Sequence, residues 1–163
     1  MLKHVDLCSG IGGFALGFSW AELSHPVLFC DIEPWSRKIL AKHWPDVKIA
    51  KDVKELANDP DGLVPDCDIL SCGYPCQPFS TAGKRVGKDD PRHLWPWIRQ
   101  HIDTMRPVRC FFENVEGHIS LGLREVIEEL EGLGYATTWG IFSAAEVGAP
   151  HQRKRVYIMA NSS

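Results

Sequence analysis

Asp68-Ile69-Leu70-Ser71-Cys72-Gly73-Tyr74-Pro75-Cys76-Gln77-Pro78-Phe79-Ser80 is the stretch from which the rest of the chain is read. Residues 68–72 are apolar or small, the pattern of a short buried strand. Prolines then bracket Cys76. A proline fixes its own φ and pushes the preceding residue out of the helical region, so Cys76 is expected on a stiff, extended turn at a strand end. Strand-end loops are where α/β sheets place their chemistry. A free thiol titrates near ~8.5 and needs help to become a thiolate at neutral pH. Most free cysteines are small buried hydrophobes, so on this segment alone Cys76 reads equally as a nucleophile or as core.

Upstream, residues 3–7 form a strand, and Cys8-Ser9-Gly10-Ile11-Gly12-Gly13 is a glycine-rich turn into a helix over 14–23. Glycines let the backbone turn sharply and approach a ligand, and a helix N-terminus favours an anion. The spacing is not a full G-x-G-x-x-G, and a tight turn without ligand fits as well. A second strand over 26–30 ends at Asp31-Ile32-Glu33. An acidic residue roughly 20 positions past such glycines is placed to hold ribose hydroxyls, which makes Asp31 the candidate. Pro34 opens a helix to about residue 43, and Glu33 suits its dipole. A third strand spans 47–50. Asp52 then stands where it can cap a short helix over 53–57, and 58–65 is a polar surface loop.

Downstream, 80–92 is a long loop whose Lys84, Arg85, Lys88 and Arg92 suit either a phosphate backbone or plain solvation. A helix over 94–105 precedes a fifth strand over 108–112, which delivers Glu113 at its end. An amphipathic helix over 121–133, capped by Gly134, comes next. The last strands span 135–142 and 155–160. Strands alternating with helices predict an α/β, doubly wound, mostly parallel sheet.

With 163 residues and 44% hydrophobic content, the chain suits one soluble domain, 1–163. It has no apolar run long enough to span a bilayer and no charged-then-apolar leader, so no membrane partner is expected and a cytoplasmic, intracellular setting is. The six cysteines include no C-x-x-C pair, which argues for reduced thiols and against a disulfide framework or zinc knuckle. A net charge of −3 is unlike a domain that grips nucleic acid unaided, so a nucleic-acid surface must be local or supplied by something else.

Pro75-Cys76-Gln77-Pro78-Phe79-Ser80 resembles the catalytic motif of the cytosine-5 DNA methyltransferases. Three further stretches resemble that family in order: Asp6-Leu7-Cys8-Ser9-Gly10-Ile11-Gly12-Gly13-Phe14 its first motif, Glu113-Asn114-Val115 its ENV motif, and Arg153-Lys154-Arg155 with Val156-Tyr157 its RxR motif. The resemblance implies a Rossmann-like core that binds S-adenosyl-L-methionine and methylates carbon 5 of cytosine in duplex DNA. It implies a catalytic set of Cys76, Glu113, Asn114, Arg153 and Arg155. Cys76 attacks carbon 6, splitting one hard step into two. Glu113 steadies ring nitrogen 3 if burial raises its pKa. Asn114 fixes the Cys76 loop, and Arg153 and Arg155 bind the base carbonyl or a phosphate. The cofactor contacts implied are Asp6, Cys8, Gly10, Gly12, Gly13 and Pro75, with Asp31 on the ribose, Ile32 on the adenine, and Asp52 and Val53 at the adenine amino group. The loop beginning Ser80-Thr81-Ala82-Gly83 would close on DNA. Read without the other motifs, Glu113 is an ordinary strand-end carboxylate and Arg153-Lys154-Arg155 a solvated basic turn.

The sequence departs from the family pattern at Cys8, where an aromatic residue is usual, and at His151, where glutamine is common. Family members continue past the RxR strand into a target-recognition domain and a final helix that packs beside the cofactor, whereas this sequence ends at Ser163. Base contacts specify and phosphate contacts bind. The expectation is therefore an incomplete catalytic half, weakly active alone or working with a second chain that carries the recognition domain. Two other readings stay open: a non-catalytic, methyltransferase-like interaction module, and an RNA cytosine-5 methyltransferase.

Overall fold

A computed structural model describes residues 1–58, 64–75 and 94–162. Along the chain these form β1 (Leu2–Leu7), α1 (Gly13–Trp20), β2 (Ser24–Cys30), α2 (Pro34–His43), β3 (Lys48–Ala50), α3 (Val53–Ala57) and β4 (Ile69–Cys72). The second half contains α4 (Trp95–Met105), β5 (Arg109–Val115), α5 (His118–Leu121), α6 (Leu123–Gly132), β6 (Tyr135–Phe142) and β7 (Arg155–Ser162), with a 3-10 turn at Ala144–Val147. The strands join in one sheet in the order β3-β2-β1-β4-β5-β7-β6. All neighbours are parallel except β7, which runs antiparallel to both β5 and β6. This is the doubly wound, mostly parallel architecture expected.

Both faces of the sheet are covered, which is why β1 and β4 can be nearly continuously buried. On one face, Val5, Leu7, Leu70, Phe112 and Ile158 pack with Val53 and Leu56 of α3, Ile98 and Ile102 of α4, and Val126 and Leu130 of α6. On the other, Ala15 of α1 and Leu40 of α2 close over Phe29, with Trp44 at the margin. Pro34 at the start of α2 and Lys42 and His43 in its last turn suit the helix dipole.

Besides shifts of one or two residues at strand ends, three features differ from the sequence reading. β5 continues through Glu113 and Asn114 to Val115, because β7 pairs with it along its whole length, from Arg109↔Asn161 to Val115↔Arg155. Glu113 therefore projects from inside a strand. The helix expected over 121–133 is broken at Gly122, which separates α5 from α6. Helix α1 stops at Trp20, where Glu22 takes a left-handed φ of 54° and turns the chain into β2. The expected loop over 80–92, with Lys84, Arg85, Lys88 and Arg92, lies outside the described residues, as does Cys76. No helix among the described residues is long and apolar enough to cross a membrane.

Candidate active site

From β1 the chain winds one way to β2 and β3, then crosses to β4 on the other side. At this reversal the loops after the two strands diverge and leave a crevice beyond their carboxyl ends, where such sheets bind ligands. A cleft of about 580 Å³ occupies that position, lined among others by Cys8, Gly10, Asp31, Ile32, Asp52 and Pro75. This volume is in the range of small-molecule and cofactor sites.

The wall from β1 is a tight turn. Cys8, Gly10 and Gly12 all have positive φ, at 50°, 55° and 88°. The Ser9 N–H donates to the Cys30 carbonyl at 3.0 Å, tying the turn to β2. Asp31 is gripped from two sides: the Gly10 N–H donates to Oδ2 at 2.7 Å and the Glu33 N–H to Oδ1 at 2.9 Å. Arg37 Nη1 donates to the carbonyls of Asp31 and Ile32 at 2.8 and 2.7 Å. Each carboxylate oxygen of Asp31 retains a lone pair, so the carboxylate is pre-oriented with acceptor capacity left for a hydroxyl. Ile32, 56% exposed, presents an apolar face at the cleft. Asp52 accepts from the Lys54 N–H at 2.8 Å and so caps α3, as the capping reading had it, while also lining the cleft beside Val53.

Not every residue of the first motif reaches that space. Gly12 is a packing glycine: a Cβ there would lie 2.6 Å from the Trp44 ring. Around Gly10 and Gly13 such a Cβ meets nothing within 4 Å among the described residues. Asp6 is sealed under the cleft floor, accepting from the Ser71 hydroxyl at 2.5 Å, and Ser71 Oγ lies 2.7 Å from His4 Nε2. Phe18 of α1 covers His4 edge-on at 5.0 Å. Burial raises the Asp6 pKa to about 7, the Ser71 hydrogen bond opposing and Asp31 adding to the rise; burial lowers that of His4 to about 4. Both groups are thus held towards their neutral forms. Burial likewise pushes the Cys30 and Cys72 thiols up. The five described cysteines are free thiols.

On the far side of the cleft, β5 and β7 bring the ENV and RxR residues together. Arg155 Nε lies 2.7 Å from Glu113 Oε1, both side chains about three-quarters buried. Arg155 Nη1 donates to the Lys154 carbonyl at 2.8 Å. The other Glu113 oxygen sits 3.4 Å from where a Cβ on Gly73 would be, so the carboxyl faces the start of the proline-flanked turn. Asn114, 3% exposed, donates from Nδ2 to the Tyr74 carbonyl at 3.1 Å and accepts the Val115 N–H at 2.9 Å. Arg153 is exposed, has a strained φ of 38°, and forms no ion pair among the described residues.

The family model of C-5 cytosine-specific DNA methylases matches residues 2–163. The chain belongs to that family. It is 34% identical over 96% of its length to the type II methyltransferase M.NgoBV of Neisseria gonorrhoeae, and 36% identical over 98% to M.NaeI of Lentzea aerocolonigenes. In each case it spans 40% of the relative's length. Among solved structures, the S. pombe Dnmt2 methyltransferase superposes with a TM-score of 0.84 at 27% identity, covering 99% of this chain and 51% of that one.

Two residues at the site escaped the sequence reading. Tyr74 and His118 are buried at 3% and 2%, with Tyr74 Oη 2.8 Å from His118 Nε2. The signal present was Tyr74 itself, a large aromatic directly before the proline-flanked cysteine. Nothing in the sequence ties it to a histidine 44 positions later.

Proposed function

We propose that residues 1–163 hold S-adenosyl-L-methionine and carry the chemistry that methylates carbon 5 of cytosine in DNA. The observation that carries this reading is the placement of the Glu113–Arg155 pair against Gly73 on one side of the β4 end, with the Asp31 cleft on the other. The cleft suits the cofactor: a fixed carboxylate for ribose hydroxyls, an exposed isoleucine for a planar ring, and open space over Gly10. When bound there, the cofactor supplies an electrophilic methyl group.

Cys76 follows Pro75 directly and is the nucleophile in this reading. Its thiolate adds to carbon 6 of the ring, which makes carbon 5 nucleophilic. The cation of Arg155 holds the Glu113 carboxyl in one orientation. Glu113, when protonated, donates to ring nitrogen 3 and stabilises the charge that thiolate addition puts on the ring. Asn114 anchors the Tyr74 backbone two residues before the nucleophile. After methylation the carbon 5 proton leaves to a base, the carbon–sulfur bond breaks, and Cys76 returns as thiolate. Arg153, exposed two residues before Arg155, is assigned to a phosphate or to the base carbonyl.

A stacked base cannot reach this site, so the cytosine is turned out of the duplex at a cost of about a few kcal/mol, which DNA contacts offset. A net charge of −3 argues that residues 1–163 do not supply those contacts alone. We assign sequence reading to protein outside them, in the same protein or on a second chain. The test is transfer of tritium-labelled methyl to unmethylated duplex, followed by nucleoside analysis. Label on 5-methylcytosine that disappears in Cys76→Ser supports the reading. Label on another atom, or undiminished label in that variant, overturns it.

A further inference from the structure

The Tyr74–His118 pair has no role in the chemistry above, yet it sits where that chemistry is aimed. Along the extended backbone after β4, Gly73 and Pro75 line the cleft while the Tyr74 side chain turns the other way, into the core. There its ring meets Trp95 at 5.7 Å and Phe112 at 6.2 Å. Such contacts hold a ring in place laterally and are weakly directional. The hydrogen bond to His118 is directional, and the two rings meet edge to face at 5.4 Å.

Stability alone does not account for this histidine. Among the described residues its buried Nδ1 finds no hydrogen-bond partner, and burial lowers its pKa. A buried polar atom left unpaired costs free energy, whereas apolar residues of like shape at both positions avoid that cost. The return on the pair is therefore placement: it fixes how far Tyr74 enters the core, and so where Gly73 and Pro75 stand in the cleft.

We infer that His118 is a positioning residue of the cofactor cleft, acting through the Tyr74 hydroxyl to set the Gly73-Tyr74-Pro75 wall. The inference rests on the cleft being the S-adenosyl-L-methionine site. The experiment compares the chain with Tyr74→Phe/His118→Leu and with His118→Gln, which keeps a polar partner. For each, the melting temperature, cofactor affinity by calorimetry, and iodoacetamide alkylation rate of Cys76 by peptide mass spectrometry are measured. In the double variant the melting temperature is expected to hold or rise while affinity falls about tenfold, the scale of one well-placed hydrogen bond. Glutamine is expected to restore most of the affinity. Wild-type affinity in the double variant, or a loss of affinity that follows a fall in melting temperature, overturns the inference. A wild-type chain that binds no cofactor defeats the reading of the cleft instead. The alkylation rate, which needs no ligand, then decides: at least a threefold change in the double variant supports positioning, and an unchanged rate refutes it.

Discussion

Asp6→Asn removes an ionisable group from the buried His4–Ser71–Asp6 chain with little change of shape, and its effect should depend on pH in a calculable way. Asp6 moves from 3.8 to about 7 on folding. A folded-state pKa above the unfolded one means that the native state binds the extra proton. Its stabilising effect is full below 3.8 and is lost as pH rises through 7. Between pH 5 and 8 the loss is about 2.5 kcal/mol, at 1.36 kcal/mol per pKa unit. His4 has the opposite slope: lowered from 6.5 to about 4, it contributes stability above 6.5 that is lost as pH falls towards 4. From pH 8 to 5 that loss is about 2 kcal/mol, so the two nearly cancel in the wild type. The amide of the variant can still accept from the Ser71 hydroxyl, and its nitrogen takes the place of Asp6 Oδ2, which has no partner among the described residues. Any fixed cost of that nitrogen is the same at every pH. Urea unfolding followed by tryptophan fluorescence at pH 5, 6, 7 and 8 reads the difference between the two proteins. The variant should gain about 2.5 kcal/mol on wild type across the range. A difference that stays constant with pH would refute the buried, proton-retaining carboxyl.

Other substitutions test the walls of the site. Gly12→Ala should destabilise the chain by about 3 kcal/mol, since its Cβ would fall 2.6 Å from the Trp44 ring at a φ of 88°, and a thermal melt checks this. Asp31→Asn replaces a double acceptor with a single one and frees either the Gly10 or the Glu33 N–H, so cofactor affinity by calorimetry should fall about tenfold or more. Glu113→Gln keeps the shape but removes both the ion pair with Arg155 and the proton for the ring. Methyl transfer should drop about a hundredfold or more, while cofactor affinity holds within about threefold.

Apolar periodicity and turn residues carried most of the fold. The runs at β2 and β4 are short and marked by proline, aspartate or glycine, and Pro34 stands at the start of α2 to the residue. Long-range pairing was not legible. Nothing local shows that β7, far along the chain, carries β5 through the polar Glu113-Asn114. In β1 the alternation Lys3-His4-Val5-Asp6-Leu7 gives His4 and Asp6 the look of a wetted face, yet both are buried, with Phe18 lying over His4. At the candidate site, turn chemistry pointed to Asp31 and Gly10, which line the cleft, and the family resemblance pointed to Glu113, Asn114 and Arg155, which β5 and β7 carry. Gly12 was grouped with ligand-facing glycines although Trp44 fills its place, a contact set by tertiary packing alone.

The central claim is a covalent bond from the Cys76 sulfur to carbon 6 of a cytosine, steadied by Glu113. Its most direct measurement is intact-protein and peptide mass spectrometry after incubation with S-adenosyl-L-methionine and a duplex carrying 5-fluorocytosine, whose fluorine cannot leave as the carbon 5 proton does. The account predicts one adduct, mapped to the peptide containing Cys76, that forms more slowly in Glu113→Gln. Methylated product without any such adduct, or an adduct on another cysteine that survives Cys76→Ser, would contradict it.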